Sequence, residues 1–333
     1  MNDVSLLASD ADSRSEAGHP PVVSVIIPVY NGARCLAAAV ESVLAQTLSN
    51  LEVLIVDDGS VDDTARIAEQ LAARDSRVQL LRHASNRGQA AARNLALNRA
   101  RGVWVAPVDA DDEIGPDRLR LLVEAGEREQ ADLIADGIIF QGARPPGTPA
   151  ELMTWRRNGQ LLEPLTAEAL IMSGTKGAFR SLGYLKPLMR RRFLDECNLR
   201  YWEDLRFAED FNFYARALFC GARFLLYPES HYVYWQTPSS ASRIEITRIA
   251  RHALASSQRL REVVPDGASA EVTAALDEYE RRWLLLTWFE HVKRAVTKRH
   301  VGQVIRLLLK LPAGPHRVIR FAYDRATLKR QTV

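Results

Sequence analysis

Four runs of β-branched and aromatic residues alternate with helical segments over the first third of the chain, and this alternation restricts the possible folds. The runs are Val22–Tyr30, Leu51–Val56, Val78–Arg82 and the stretch that begins at Val103. Between them, apolar residues recur at the spacing of an amphipathic helix. Strands that alternate with helices in this way predict a parallel α/β sheet with helices packed on its faces.

A short polar or glycine-bearing turn follows each of the four predicted strands. The turns are Asn31-Gly32, Asp57-Asp58, Asn86-x-Gly88 and Asp109-x-Asp111. In parallel α/β sheets, ligands bind beyond the carboxyl ends of the strands. We therefore expect the four turns to line one rim of the sheet and to form a ligand site there.

The last of these turns carries three acids in four positions, Asp109, Asp111 and Asp112. Alternate side chains at a strand end point the same way, so Asp109 and Asp111 can converge. Two ionised carboxylates repel each other unless a cation lies between them. Mg²⁺ or Mn²⁺ prefers oxygen ligands and commonly bridges a phosphate-bearing substrate. A solvated acidic turn is the alternative, and the motifs upstream favour the metal site.

Two other nucleotide-binding motifs are missing from this region. A dinucleotide-binding domain has G-x-G-x-x-G after its first strand, whereas Asn31-Gly32-Ala33 follows the first strand here. The sequence also lacks the lysine of a P-loop. Both classes of nucleotide-binding protein are therefore excluded.

Together, the turns and strands resemble the inverting nucleotide-sugar glycosyltransferases of family 2, which have the GT-A fold. The matching residues are Val25–Asn31, Glu52–Ser60 with Asp62, Asn86-x-Gly88 with Ala91-x-Arg93-Asn94, and Asp109–Asp112. The resemblance is strong from Val22 to Gly137 and weaker to about Arg243. It implies a Rossmann-like, mostly parallel sheet flanked by helices. Overall, the sequence looks like bacterial exopolysaccharide transferases, such as those of succinoglycan assembly.

The resemblance also implies a nucleotide site in the first half of the domain. Asp58 could accept a hydrogen bond from a pyrimidine imide N–H, which favours uracil or thymine over cytosine. Pro28, Val29 and Tyr30 would form an apolar wall for the base. Arg93 would pair with the base edge or the diphosphate as a fixed cation, and a surface helix residue is the alternative.

The same likeness assigns the metal to the acidic turn. Asp109 would reach the ribose or the metal, and Asp111 would hold the metal across the diphosphate. Mn²⁺ or Mg²⁺ would then stabilise the charge that grows on the leaving nucleoside diphosphate.

A second acidic pair, Glu209-Asp210, precedes a segment with helical spacing of apolar residues. Asp210 is the predicted general base, because a helix N-terminus keeps a carboxylate ionised and able to accept a proton at neutral pH. An ordinary helix cap, worth about 1 kcal/mol, is the alternative. Glu203-Asp204 is a competing pair, and it is less favoured because no amphipathic helix follows it directly.

Further along, a polar loop follows an aromatic strand. In relatives, a comparable loop closes over the diphosphate and the acceptor. Trp235, His231 and Arg243 are candidates for that role. Aromatic residues in this region are more often part of a core.

Three regions are predicted along the chain. Residues 1–20 form a disordered tail, and residues 21–245 form the glycosyltransferase domain, with a nucleotide-binding half (21–140) and an acceptor half (141–245). Within the acceptor half, Glu163–Met172 is predicted to be a helix. Residues 246–333 form a basic helical region.

Charge is distributed unevenly between these regions. The whole chain has a net charge of +3, but Arg281 to the C-terminus has 13 Lys/Arg against two acids. A basic amphipathic segment can lie on an anionic membrane surface, and a helical cap or an oligomer contact is the alternative. No nucleic-acid-binding motif accompanies this charge.

The sequence therefore predicts a metal-dependent inverting glycosyltransferase that transfers a sugar from a nucleotide-diphosphate donor, expected to be a UDP-sugar, to a glycan acceptor, expected to be lipid-linked. Three widely spaced cysteines suit a reducing cytoplasm, and no apolar run reaches the roughly 20 residues that span a bilayer. Together with the basic C-terminal region, this predicts a cytoplasmic protein that is peripheral on the inner face of the plasma membrane. An inactive, membrane-docked scaffold is the second hypothesis. A nucleotidyltransferase is the third hypothesis. It ranks last because such an enzyme is expected to carry a Gly-rich loop with Arg or Lys after its first strand, and Asn31–Arg34 matches that loop poorly.

Overall fold

The computed structural model describes residues 20–142, 152–153, 163–174, 181–205, 208–236 and 246–300, together with residues 302 and 306. The chain divides into two compact units, Met1–Ala167 with Leu182–Ser240, and Glu168–Ser181 with Ala241–Val333. The predicted tail, except Pro20, lies outside the described residues, as does Arg243.

The first unit has an α/β fold built on one mixed β-sheet, and helices form the connections between its first strands. Its described strands are β1 (Val23–Val29), β2 (Leu51–Asp57), β3 (Val78–Arg82), β4 (Trp104–Pro107), β5 (Glu113–Ile114), β6 (Leu133–Gly142), β7 (Leu152–Met153), β8 (Glu163–Pro164), β9 (Leu188–Arg190) and β10 (Phe224–Gln236). The described helices of the chain are α1 (Leu36–Leu44), α2 (Thr64–Arg74), α3 (Gln89–Leu97), α4 (Arg118–Arg128), α5 (Ala167–Ser173), α6 (Arg191–Glu196), α7 (Glu209–Phe219), α8 (Ile246–Arg261) and α9 (Ala270–Thr297).

The strands form one sheet in the order β3-β2-β1-β4-β9-β6-β10-β5. The four predicted strands are parallel neighbours, as are β6 and β10, whereas β9 is antiparallel to both β4 and β6. Every residue of β1 and β2 is buried. Continuous apolar runs are expected in parallel strands that are covered on both faces, so these two strands form the centre of the core.

The turn after β1 is held in shape by side chains from the turn after β2. The Asn31 and Gly32 N–H groups donate to Ser60 Oγ and Thr64 Oγ1, and Ala33 N–H donates to Asp62 Oδ2. The Ser60-x-Asp62-x-Thr64 pattern therefore fixes the shape of the first turn, which lies at the rim of the sheet.

The prediction of a helix over Glu163–Met172 is wrong at its start. Glu163 and Pro164 instead form β8, which pairs antiparallel with β10. Proline fixes its own backbone and lacks an N–H, so it is tolerated at the edge of a sheet. The helix begins only at Ala167, in α5.

The second unit contains the paired helices α8 and α9. Arg261 of α8 bonds to Asp277 and Glu280 of α9 at 2.6 and 2.8 Å, and Ser257 donates to Glu280. Among the described residues, no helix combines the length and the apolar character that crossing a membrane requires.

Candidate active site

The predicted rim exists, and residues from three strands and two helices meet there. Asp58 follows β2, and Asp109 lies two residues beyond the last residue of β4. Arg93 comes from α3, Glu209 and Asp210 are the first residues of α7, and Lys186 lies two residues before β9. The carboxyl ends of the parallel strands thus face the start of α7.

Two cations and two carboxylates at this rim form a closed set of four ion pairs, here called the ion-pair ring. Arg93 lies 2.8 Å from Asp109 Oδ1 and 2.7 Å from Asp210 Oδ1. Lys186 Nζ lies 2.9 Å from Asp109 Oδ2 and 2.7 Å from Asp210 Oδ2. The ring joins the acidic turn after β4 to the predicted general base.

The ring is buried, which makes its charges strongly interdependent. The Arg93 side chain is 0% exposed, and Lys186 is 6% exposed. Burial alone would raise the pKa of Asp109, but the charges of Lys186 and Arg93 outweigh it and lower that pKa to about 2. Conversely, the nearby carboxylates raise the pKa of Lys186 despite its burial. Asp109 is therefore held as a carboxylate, and Lys186 and Arg93 as cations, at neutral pH.

Glu209 lies beside the ring and has only one of the two cations as a partner. Its Oε1 is 3.2 Å from Arg93 Nη1. Burial and the charge of Asp210 raise the pKa of Glu209. Asp210, which contacts both Arg93 and Lys186, is therefore more completely paired than Glu209.

The remaining acids of the turn after β4 differ in their surroundings. Asp112 is buried, and its carboxylate accepts hydrogen bonds from Tyr232 OH and from the Trp235 N–H. The same Tyr232 oxygen accepts the Asp109 N–H. Asp112 and Tyr232 therefore fix the path of the acidic turn rather than face a ligand.

Asp111 projects from this turn and is exposed at the rim. Its carboxylate forms no ion pair with the described part of the chain. Although the residue is exposed as a whole, desolvation of its carboxyl group and the charge of Asp109 raise the pKa of Asp111 to about 6. A carboxylate in such a position is stabilised by an added cation.

The carboxylates of Asp109 and Asp111 fit a divalent metal that takes most of its ligands from water and from the substrate. Both oxygens of Asp109 contact the ring cations, and within the described ranges no three His, Cys, Asp or Glu side chains form a metal-binding cluster. Mg²⁺ is commonly bound by one or two carboxylates, with waters and substrate phosphates as the other ligands. Asp111 suits that arrangement, and a direct bond from Asp109 to the metal stays a prediction.

Asp58 is buried and already has three partners. Its carboxylate lies 2.6 Å from His83 Nδ1 and accepts the N–H groups of Arg87 and Gly88. It therefore shapes the loop before α3, and its contact with a base stays a prediction. Of the three residues predicted to form the apolar wall, Tyr30 is 50% exposed, whereas Pro28 and Val29 are buried within β1.

The competing acidic pair lies apart from the ring. Glu203 bonds to Arg87 and to the Asn94 side chain. Asn94 also makes two hydrogen bonds to the backbone of Tyr201. The Asn of the Ala-x-Arg-Asn motif thus anchors the chain before α7, while the Arg of that motif reaches Asp210.

Two of the candidate acceptor-loop residues, His231 and Trp235, lie in β10, and Arg243 follows this strand in the sequence. The His231 N–H donates to Asp136, and its ring lies 3.1 Å from Glu229. Trp235 reaches the site through its backbone bond to Asp112. Their roles toward an acceptor stay predictions, as does that of Arg243.

Lys186 is the site residue that the sequence motifs did not identify. It belongs to the segment Lys186–Arg190, which resembles a basic segment that precedes the acceptor half in many family members, but no role was predicted for the lysine itself. A signal was present, because this lysine lies between apolar residues just before a buried strand, where an unpaired charge would be costly.

With this geometry established, comparisons with known proteins identify the family. Residues 24–180 match the description "Glycosyl transferase family 2". The chain therefore contains a glycosyltransferase family 2 domain. Over 227 residues it is 36% identical to the succinoglycan biosynthesis protein ExoO of Rhizobium meliloti, a match that covers 67% of this chain and 63% of ExoO. The chain therefore spans less than two thirds of that relative's length.

Solved structures agree with the predicted fold. TarS of S. aureus in complex with UDP-GlcNAc has a TM-score of 0.63 at 21% identity, covering 91% of this chain and 87% of that one. The mannosyltransferase PcManGT from Pyrobaculum calidifontis, in complex with GDP-Man and Mn²⁺, has a TM-score of 0.58 at 20% identity, covering 96% and 89%. The family and the GT-A fold predicted from the motifs are confirmed.

Proposed function

We propose that this family 2 enzyme transfers a sugar from a nucleotide-diphosphate donor to a glycan hydroxyl in bacterial exopolysaccharide synthesis, with inversion at the anomeric carbon. The observation that carries the proposal is the ion-pair ring, which connects Asp210 to the turn that bears Asp109 and Asp111. A proton acceptor and a site for a metal-bound diphosphate thus lie at the same rim.

In this reaction, Asp210 accepts the proton of the acceptor hydroxyl as its oxygen attacks the anomeric carbon. The nucleoside diphosphate leaves from the opposite face of the sugar, so a single displacement inverts the configuration. Arg93 and Lys186 each contact one oxygen of Asp210 and hold the carboxylate in place for the incoming hydroxyl. A carboxylate has about four lone-pair sites, and the ring uses two of those on Asp210, so the others are available to a hydroxyl.

A divalent metal would be held at Asp111 together with the diphosphate. When bound, it would neutralise the charge that develops on the leaving group. PcManGT, which shares the fold, was solved with Mn²⁺, and this supports Mn²⁺ or Mg²⁺ as the metal here.

The donor is proposed to be a UDP-sugar. TarS shares the fold and binds UDP-GlcNAc. Tyr30 is exposed beside the end of β1 and could stack on the base, and Asp58 lies on the neighbouring strand end. GDP-Man in PcManGT shows that the same fold accepts a purine nucleotide, so the donor must be tested directly.

The acceptor is proposed to be a lipid-linked oligosaccharide at the inner face of the plasma membrane. The name of ExoO places that relative in succinoglycan biosynthesis. In the second unit, Arg248, Arg251, Lys298 and Arg299 are exposed. Exposed basic residues attract anionic lipids, which supports peripheral attachment.

A donor screen tests the function. The protein is mixed with a panel of nucleotide-sugars, with Mn²⁺, Mg²⁺ or EDTA, and release of the nucleoside diphosphate is measured with a mixture of glycan acceptors. We expect metal-dependent release from UDP-sugars and a product whose anomeric configuration, measured by NMR, is opposite to that of the donor. Retained configuration would contradict the mechanism, and absence of metal-dependent nucleotide binding would favour the inactive scaffold.

A further inference from the structure

Lys186 is a buried lysine that contacts both the acidic turn after β4 and the proposed general base. Its Nζ lies 2.9 Å from Asp109 Oδ2 and 2.7 Å from Asp210 Oδ2, and the side chain is only 6% exposed. A buried ammonium must be paired to be tolerated. Here it is paired with two carboxylates from different elements of the fold, one after β4 and one at the start of α7.

The backbone that carries Lys186 is fixed by two buried side chains. Tyr214 OH donates to the Leu185 carbonyl at 2.7 Å, and the Arg118 guanidinium donates to the Lys186 carbonyl at 2.5 Å. Arg118 is itself held by Asp136 through both of its carboxylate oxygens. Bonds from α4 and α7 thus set the position from which the lysine enters the site.

Lys186 restricts Asp210 in a way that Arg93 alone could not. Arg93 contacts Oδ1 of Asp210, and Lys186 contacts Oδ2. When each oxygen is bound by a different cation, rotation of the carboxylate breaks one of the two ion pairs. The same two cations also bind the two oxygens of Asp109, so the plane of the base is set relative to the donor side of the site.

We propose that Lys186 is a positioning residue for the transfer reaction: it fixes the Asp210 carboxylate so that an unused lone pair faces the acceptor hydroxyl. The inference rests on the proposed function, because it takes Asp210 as the base. The hydroxyl proton moves to Asp210, the oxygen bonds to the anomeric carbon, and the bond to the diphosphate breaks. Lys186 keeps its proton and forms no bond to substrate.

A double-mutant cycle tests this role. Lys186→Met, Asp210→Asn and the double variant are compared with Lys293→Met, which replaces a lysine that is 64% exposed. We expect Lys186→Met to lower kcat about 100-fold, as loss of a well-placed general base does, and to leave the donor KM within about threefold of wild type. In the Asp210→Asn background the same substitution should lower kcat no further, because the group that Lys186 positions is absent.

Loss of folding is separated from loss of positioning by chemical rescue. Lys186→Ala is assayed with added propylammonium, which replaces the missing chain and charge, and with 1-propanol, which has the same length and no charge. We expect saturable recovery of kcat with propylammonium only. Urea unfolding of each variant identifies those that remain folded.

Three results would overturn the proposal. They are equal kcat in Lys186→Met and Lys293→Met, an increased donor KM with unchanged kcat, and an effect of Lys186→Met that persists in the Asp210→Asn background. Each of these leaves the proposed function intact. Wild-type turnover in Asp210→Asn would instead remove the proposed base and this inference together.

Discussion

The buried pair Arg118–Asp136 offers a test of how the fold supports the site. Both side chains are almost fully buried, at 0% and 1% exposure, and the shortest of their contacts is 2.8 Å. Arg118→Met leaves Asp136 as an unpaired buried carboxylate. Removing one partner of a buried pair costs about 3–5 kcal/mol in the free energy of unfolding.

A second substitution should restore stability rather than reduce it further. Asp136→Asn removes the buried charge and keeps a side-chain oxygen, which can still accept the His231 N–H that Asp136 accepts at 2.9 Å. We expect Arg118→Met with Asp136→Asn to be more stable than Arg118→Met alone, by about 2 kcal/mol, because the uncompensated charge is the main cost. The double variant should not regain full activity, since the Lys186 carbonyl still lacks its donor.

The assay is urea unfolding at neutral pH, followed by circular dichroism, with turnover measured on the same samples. Arg120→Met is the matched control, because Arg120 lies in the same helix and pairs with Asp117 and Glu124 at the surface. Exposed pairs contribute about 0–1 kcal/mol. A double variant less stable than Arg118→Met would refute the reasoning.

Two further predictions concern the rim. Gly59 has φ +73°, and a Cβ there would lie 2.6 Å from the Ser85 backbone, whereas Gly221 has φ +85° with open space around it. Gly59→Ala should therefore lose clearly more stability in urea than Gly221→Ala, whose cost is backbone strain of about 1 kcal/mol; equal losses would show that the close approach is unimportant. Asp111→Asn should abolish the Mn²⁺-dependent part of the thermal stabilisation by UDP, while Asp117→Asn, which changes an acid whose side chain is 44% exposed, keeps it. An unchanged Mn²⁺ effect would remove Asp111 from the metal site.

The parallel strands of the first unit could be predicted because their signals are local. Continuous apolar runs indicated β1 and β2, and the polar turns indicated where each strand ends. Once a parallel sheet is expected, the common rim follows from its geometry. Asp109 and Arg93 were therefore predicted in one site, although their direct ion pair was not.

Other features depend on contacts between distant parts of the chain, and the sequence could not show them. The antiparallel β9 has three residues, and its place between β4 and β6 depends on pairing with both. Lys186 is 77 residues from Asp109 in the sequence, so their ion pair has no local signature. The start of α5 was misplaced because Pro164 was not recognised as part of a sheet edge.

Some predicted roles depend on side chains that now have known partners. Asp58 was predicted to contact the base, yet it is buried and hydrogen-bonded within the chain, as is Asp112 of the acidic turn. Acidic residues in such motifs can shape a loop as well as bind a ligand. Asp111 keeps the exposure that a metal ligand requires.

Turnover of Asp210→Asn is the measurement that tests the central claim most directly. The substitution keeps the size of the side chain and removes its capacity to accept a proton, while Asp195→Asn on α6 serves as the control at an exposed position. We predict a loss of kcat of about 100-fold or more for Asp210→Asn, with UDP binding retained. Turnover equal to that of Asp195→Asn would contradict the assignment of the base.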